Sequence, residues 1–238
     1  MPTTRAAGQH WWCLLSISLL ALSGVARGQE APPTRTLLVK AVPQYVVVSG
    51  YWLEAEQLWK QHPEQSFAVI AQLYAGPTGQ PNSETFASSS FSSDRNRQVR
   101  GAGLQVQHRL YLAPAFATDY PSGWYVSYGP HFQRFALSHE GLGWKEVEGP
   151  NGALVYELRN GHHTETINRY GGSVQLGYQA PLPPGPVFLD LYVGFGWRES
   201  QSRGDSWKIN SRYRSGSSNY GHEGFYFPAG IKIGVALH

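Results

Sequence analysis

Glu54 and Glu56, separated by one residue, and Arg109 further along each fall in a stretch where polar and apolar residues alternate. Asp190, Arg198 and Lys232 occupy the polar side of two later stretches of the same kind. A period of two sends alternate side chains to one face of a strand, so these six charges share the polar face of whatever sheet the strands build. Isolated charges on an enclosed face are costly, whereas opposite charges at similar depth neutralise one another. The expectation is an ionic network of Glu54, Glu56, Arg109, Asp190, Arg198 and Lys232 across a narrow interior. Glu54, Glu56 and Arg109 would also suit a selectivity or proton-linked site in a channel. The reading taken is an ionic plug that fills the lumen and holds register, because an eight-stranded interior is just wide enough for side chains.

Other chemistry is thinner. His162 and His163 are adjacent, so on a strand they face opposite sides, and no cysteine or ordered carboxylate spacing completes a metal site around them. A lipid-modifying hydrolase or acyltransferase would draw on His139, Ser138 and Glu140, or on His131 with Ser127. No Gly-x-Ser-x-Gly elbow supports either set. No catalytic, cofactor-binding or metal-binding residue is assigned, and no cofactor is expected.

The elements that must position the six charges are strands. Leu104, Val106, Leu110 and Leu112 alternate with Gln105, Gln107, Arg109 and Tyr111; Val187, Leu189, Leu191, Val193, Phe195 and Trp197 oppose Asp190, Tyr192, Gly194, Gly196 and Arg198. The last segment sets Phe225, Phe227, Ala229, Ile231, Ile233, Val235 and Leu237 against Tyr226, Gly230, Lys232 and Gly234. Similar runs cover Thr36 to Val42, Gly50 to Trp59, Ser66 to Ala75, Ser122 to Phe135 and Tyr170 to Tyr178, which makes eight. Breakers separate them at His62-Pro63, Gly76-Pro77, Ala113-Pro114, Pro121-Ser122 and the Pro181 to Pro186 turn. Connections alternate in length: Thr78 to Gln98, Ser138 to Thr164 and Ser200 to Glu223 are long, Ala113 to Pro121 and Gln179 to Pro186 short. Small outer-membrane barrels show this asymmetry between external loops and periplasmic turns. Within the long loops, Leu154, Tyr156 and Leu158, and likewise Trp207, Ile209 and Tyr213, alternate with polar residues. They read as strand extensions above the membrane, with a ninth and tenth strand as the alternative.

Composition agrees. The 238 residues hold one Cys, 13% aromatics, 15% charged residues and a formal charge of +3 without a basic block, which excludes a nucleic-acid binder. No apolar run outside the N-terminus is long enough for a membrane helix. Residues 1–28 read as a signal peptide, with Arg5 ahead of the apolar stretch Trp11 to Leu22 and small residues up to Gly28. Losing it would remove Cys13, Arg5 and Arg27 and leave residues 29–238 as a single domain free of cysteine.

Which face meets the lumen decides between two architectures. With apolar residues inward the chain is a soluble lipocalin-like periplasmic carrier of a lipophilic ligand, to which Gly50-Tyr51-Trp52 lends a three-residue match. With them outward it is a membrane barrel. Charges of both signs on the polar face, glycines interleaved there (Gly50, Gly177, Gly194, Gly196, Gly230, Gly234) and aromatics at strand ends (Trp59, Trp124, Tyr125, Tyr178, Trp197, Phe225, Phe227) favour the membrane. Val39-Lys40 with Pro43, Tyr51 through Glu56, His108-Arg109-Leu110-Tyr111-Leu112, Gly123-Trp124-Tyr125-Val126 and Gly230-Ile231-Lys232-Ile233-Gly234 together resemble the small outer-membrane β-barrel domains of the Bacteroidota type, similar in architecture to OmpA and OmpX barrels. His238 departs from the terminal aromatic common in such proteins. The resemblance implies a barrel of largely unassigned function in the outer membrane of a Gram-negative-type bacterium.

The reading is therefore an all-β, eight-stranded antiparallel transmembrane barrel with a plugged, non-conducting lumen and a structural or surface-interaction role through long external loops. Its expected partners are outer-membrane lipid, the barrel-insertion machinery and an unidentified external ligand, with no nucleic acid. The lipocalin-like carrier and the lipid-modifying enzyme are the alternatives.

Overall fold

The computed structural model describes residues 37–78, 95–112, 120–183, 185–204 and 219–237. The signal segment, most of the first and third long connections, and Trp207, Ile209 and Tyr213 lie outside them. Among the described residues nine strands follow in order: β1 (Leu37–Ala41), β2 (Gly50–Trp59), β3 (His62–Pro77), β4 (Arg95–Tyr111), β5 (Gly123–Glu148), β6 (Leu154–Leu182), β7 (Val187–Gly204), β8 (Gly224–Tyr226) and β9 (Ala229–Leu237). All pairings are antiparallel. Each strand from β1 to β7 pairs with the next, β7 pairs with β8 and β9, and β9 returns to β1, so the sheet closes on itself.

The ring has eight positions because β8 and β9 are one interrupted strand. Gly224 to Tyr226 pair with Arg198 to Gly196, and Ala229 to Val235 pair with Val193 to Val187, further down the same neighbour. The expected single strand from Phe225 to Leu237 breaks at Phe227-Pro228. Proline has no N–H to give a ladder, although the Pro228 carbonyl still accepts from Gly194 N at 2.8 Å.

The other strands begin and end where local chemistry lets them. Pro43 stops β1 and opens a short 3-10 helix, Pro43–Val48. The β2–β3 hairpin turns at Lys60-Gln61, between the paired Trp59 and His62. The Ser138 to Thr164 connection is not an irregular loop. There β5 and β6 run on in unbroken register from Gly123↔Gln179 to Glu148↔Leu154, and the turn is confined to Gly149 through Ala153, where Gly152 takes the left-handed φ of 72°. Leu154, Tyr156 and Leu158 thus belong to an extension of the sixth strand and add no ninth or tenth.

Faces follow from the alternation. Apolar side chains point out: Leu53, Val69, Leu104, Phe132, Val174, Val193, Phe195, Ile231 and Ile233 are all exposed. Lys40, Glu54, Gln72, Gln107, Arg109, Gln133, Gln175, Gln179, Asp190 and Lys232 are buried within the ring. The greasy interior of a lipocalin-like carrier is thereby reversed. On β7 the outward face is unbroken hydrocarbon and aromatic from Val187 to Trp197, then Glu199 is exposed. At about 3.3 Å per residue and a tilt of about 40°, that run stands roughly 25–30 Å tall, the height of a membrane barrel's apolar band. Exposed Arg100, Arg134 and Glu199 mark its upper limit on three strands, and exposed Glu223 does so just ahead of β8. Trp59, Trp124, Tyr178, Trp197, Phe225 and Phe227 face outward as expected of an aromatic girdle. Tyr125 does not: it is fully buried in the lumen.

Candidate functional site: a polar layer across the lumen

Every position of the ring contributes a side chain to one layer. From β1 comes Lys40, from β2 Glu54 and Glu56, from β3 Ser66, from β4 Arg109 and Tyr111, from β5 Tyr125, from β6 Gln179, from β7 Asp190 and from β9 Lys232. Arg109 is the hub. Its Nη2 donates to Glu54 Oε1 at 2.7 Å, and its Nη1 to Glu56 Oε2 at 2.7 Å and Asp190 Oδ2 at 3.1 Å. Lys40 Nζ lies 2.7 Å from Glu56 Oε2, 2.6 Å from Asp190 Oδ2 and 3.3 Å from Glu54 Oε1. Lys232 Nζ donates to Glu54 Oε2 at 2.6 Å. Three cations thus face three carboxylates.

Neutral donors take up the remaining lone pairs. Ser66 Oγ and Tyr111 OH both donate to Glu56 Oε1, at 2.5 and 2.8 Å, and Tyr125 OH donates to Asp190 Oδ1 at 2.6 Å. Gln179 accepts from Lys40 Nζ at 2.6 Å and donates to the Pro121 carbonyl at 2.7 Å. The Arg109 guanidinium lies over the Tyr125 ring at 4.5 Å and Lys232 Nζ over the Tyr192 ring at 4.7 Å. A charge taken out of water is tolerated only when paired and hydrogen-bonded in this way.

Small residues make the layer fit. A Cβ on Gly177 would fall 2.2 Å from Tyr125 Cζ, and one on Gly234 would fall 2.6 Å from Lys40 Cγ. Toward the chain termini the layer rests on an apolar cluster of Leu38, Leu58, Tyr111, Tyr120, Tyr125, Phe188 and Ala236. Side chains of the layer and of this cluster thus occupy this part of the lumen.

Of the six charges singled out from the sequence, the structure brings together Glu54, Glu56, Arg109, Asp190 and Lys232. Arg198 lies apart from them, higher on β7, where its Nε donates to His222 Nδ1 at 3.3 Å and its guanidinium covers the Tyr226 ring at 4.6 Å. The distance has a plain cause: Arg198 shares a face with Asp190 but sits eight residues further up, and shared parity does not mean shared depth. Burial, together with Arg198 and Arg169, pushes the His222 imidazole below its ordinary value, in keeping with its role as an acceptor. Lys40 was absent from the expected network, because β1 is too short for its alternation to stand out.

The candidate enzymatic sets do not assemble. Ser127 and His131 both face inward from β5 but lie four residues apart, about 13 Å along a strand. Ser138 and Glu140 share a face and His139 points away from both: Glu140 faces out and accepts from Asn96 Nδ2 at 2.9 Å, while His139 is buried with its ring 5.4 Å from that of His163. His162 and His163 sit opposite Glu140 and His139 in the extended hairpin. No group of metal-binding side chains forms among the described residues.

No family model matches the chain, and no curated protein is significantly similar to it. Two crystal structures of Acinetobacter baumannii proteins, CarO2 and CarO, are similar over 86% and 89% of this chain and 99% and 100% of theirs, at 10% and 11% identity and TM-scores of 0.37 and 0.35. With so loose a likeness, the architecture stands on the ring of strand pairings itself.

Proposed function

We propose that the chain is an outer-membrane β-barrel of a Gram-negative-type bacterium, non-conducting, with a structural or surface-interaction role carried by the segments above the apolar band. The observation that supports it most is the combination of a closed ring, a band of outward apolar side chains and a neutralised ionic layer spanning the inside. A bilayer demands closure because every backbone N–H and C=O must find a partner where there is no water. The layer draws on all eight wall positions, which leaves ions no continuous path. The extended β5–β6 hairpin rises beyond Arg134 and offers a surface for the external ligand. The resemblance to small Bacteroidota-type barrels, removal of residues 1–28 and delivery by the barrel-insertion machinery belong to the same reading.

The test is electrical and topological together. Purified protein in a planar bilayer is expected to give no steady conductance steps, and a bulky maleimide added to intact cells is expected to label Asn151→Cys in the Gly149 to Ala153 turn. Reproducible open-channel steps would refute the plug. Failure to recover the protein with outer membranes would refute the location.

A further inference from the structure

Above the ionic layer the lumen holds a cavity of about 380 Å³, lined among others by Tyr45, Trp52, Tyr192, Tyr226 and Arg169. That volume lies within the roughly 300–1,000 Å³ typical of small-molecule sites. Arg169 is 7% exposed and unlike the cations below it. Its Nε donates to Gln133 Oε1 at 2.7 Å and its Nη1 to the carbonyls of Asn219 and Tyr220, both at 3.1 Å. All three acceptors are neutral, and among the described residues Nη2 has no acceptor and the guanidinium no carboxylate. A buried cation without a counter-charge is expensive, which marks the place where an anion would be favoured.

The wall beside this cavity is discontinuous. β1 ends at Ala41, paired with Leu53 on one side and Ile233 on the other. Beyond it Val42 N still donates to the Trp52 carbonyl at 3.2 Å; past that bond β2 continues to Gly50 and the β9–β8 strand continues to Gly224, each in register with its far neighbour. The 3-10 helix fills the gap, yet no backbone hydrogen bond joins Pro43–Val48 to residues 224–232 among the described residues. Two side-chain bonds tie the helix to neighbouring segments instead: Gln44 Nε2 donates to Tyr192 OH of β7 at 3.1 Å, and Tyr220 OH, ahead of β8, to the Val48 carbonyl at 3.0 Å. Open strand edges at membrane depth are tolerated only where they line a cavity. Here both edges do, since Val42, Gln44, Tyr45 and Val48 line it from one side of the seam and Phe227, Pro228 and Ala229 from the other. Outside, Val47 is 90% and Phe227 77% exposed.

We propose that this seam is a lateral portal and that the cavity binds an anionic single-chain amphiphile of the fatty-acid class. Its carboxylate meets Arg169, and its hydrocarbon chain passes between the 3-10 helix and β8–β9 into the outer leaflet. The binding rests on the membrane reading above. It is tested with the full chain refolded in phosphatidylcholine vesicles, in a Cys13→Ser background, with a fluorophore on Val47→Cys at the seam or on Val106→Cys on the lipid face of β4. A phospholipid carrying a chain nitroxide is expected to quench both; quenching of neither would sink the membrane reading by itself. Stearate carrying a chain nitroxide is expected to quench Val47→Cys in clear excess over Val106→Cys, and the excess should be removed by palmitate but not by hexadecanol or acetate. Arg169→Gln should weaken the palmitate competition about ten-fold or more, the usual effect of losing a charge-assisted hydrogen bond, while Arg169→Lys retains part of it. Equal quenching at both sites by the stearate probe, or hexadecanol or acetate competing as well as palmitate, would overturn the proposal. Should Arg169→Gln fail to fold, the acid-against-alcohol competition decides on the unchanged arginine.

Discussion

Arg109 and Lys232 both belong to the buried layer, but they hold it differently. Arg109 bonds three carboxylates at once, whereas Lys232 bonds Glu54 alone. Replacing Arg109 by Met strands Glu56 and Asp190 beside one remaining ammonium and is expected to cost about 3–5 kcal/mol, the penalty of breaking a buried ion pair. Lys232→Met should cost clearly less, and a urea titration of the two variants in vesicles orders them; equal losses would remove Arg109 from its place as hub. Glu54, Glu56, Arg109, Asp190 and Lys232 were legible as a set because each sits on the polar parity of a long alternating run. Depth along a strand is a different quantity from parity. Arg198 shows this, since only the registers of β6, β7 and β9 fix how high each residue rides.

At the scale of elements, strand existence and facing were written plainly in the alternation, and strand ends were not. The first strand is cut short by Pro43 and the last is interrupted at Pro228, both by loss of a backbone donor. The β5–β6 hairpin outruns its expected limits because antiparallel pairing, once in register, continues through residues whose own pattern is weak. Tyr125 turned inward although its neighbour Trp124 joins the girdle, and the space it needs is supplied across the strand by Gly177. Gly177→Val should therefore cost about 1–3 kcal/mol or block folding, as overpacking does. On the extension, a Cβ at Gly161 meets nothing closer than His163 Nε2 at 3.9 Å, so Gly161→Val should leave the urea midpoint nearly unchanged. A shift of similar size at both glycines would show that the lumen is not tightly filled around Tyr125.

The whole molecule is a closed sheet turned inside out relative to a soluble barrel, and its stability should depend on the solvent that each face meets. Leu191, paired with Tyr178 and Ile231, faces outward inside the apolar band. Leu191→Arg is expected to cost about 2–4 kcal/mol in a vesicle folding titration, whereas Leu154→Arg at the hairpin's end should cost little. Intact barrel should also migrate faster than heated protein on a gel, because strand closure resists detergent until heat opens it. The central claim is that hydrocarbon lies against lipid while the ionic layer is enclosed. Single cysteines at Leu189, Val193, Ile233, Gln107 and Gln175, each carrying a fluorophore, test it most directly in vesicles containing a nitroxide-bearing phospholipid. Strong quenching at Leu189, Val193 and Ile233 with Gln107 and Gln175 spared is the expected result, and quenching of the two glutamine positions with the other three spared would contradict it.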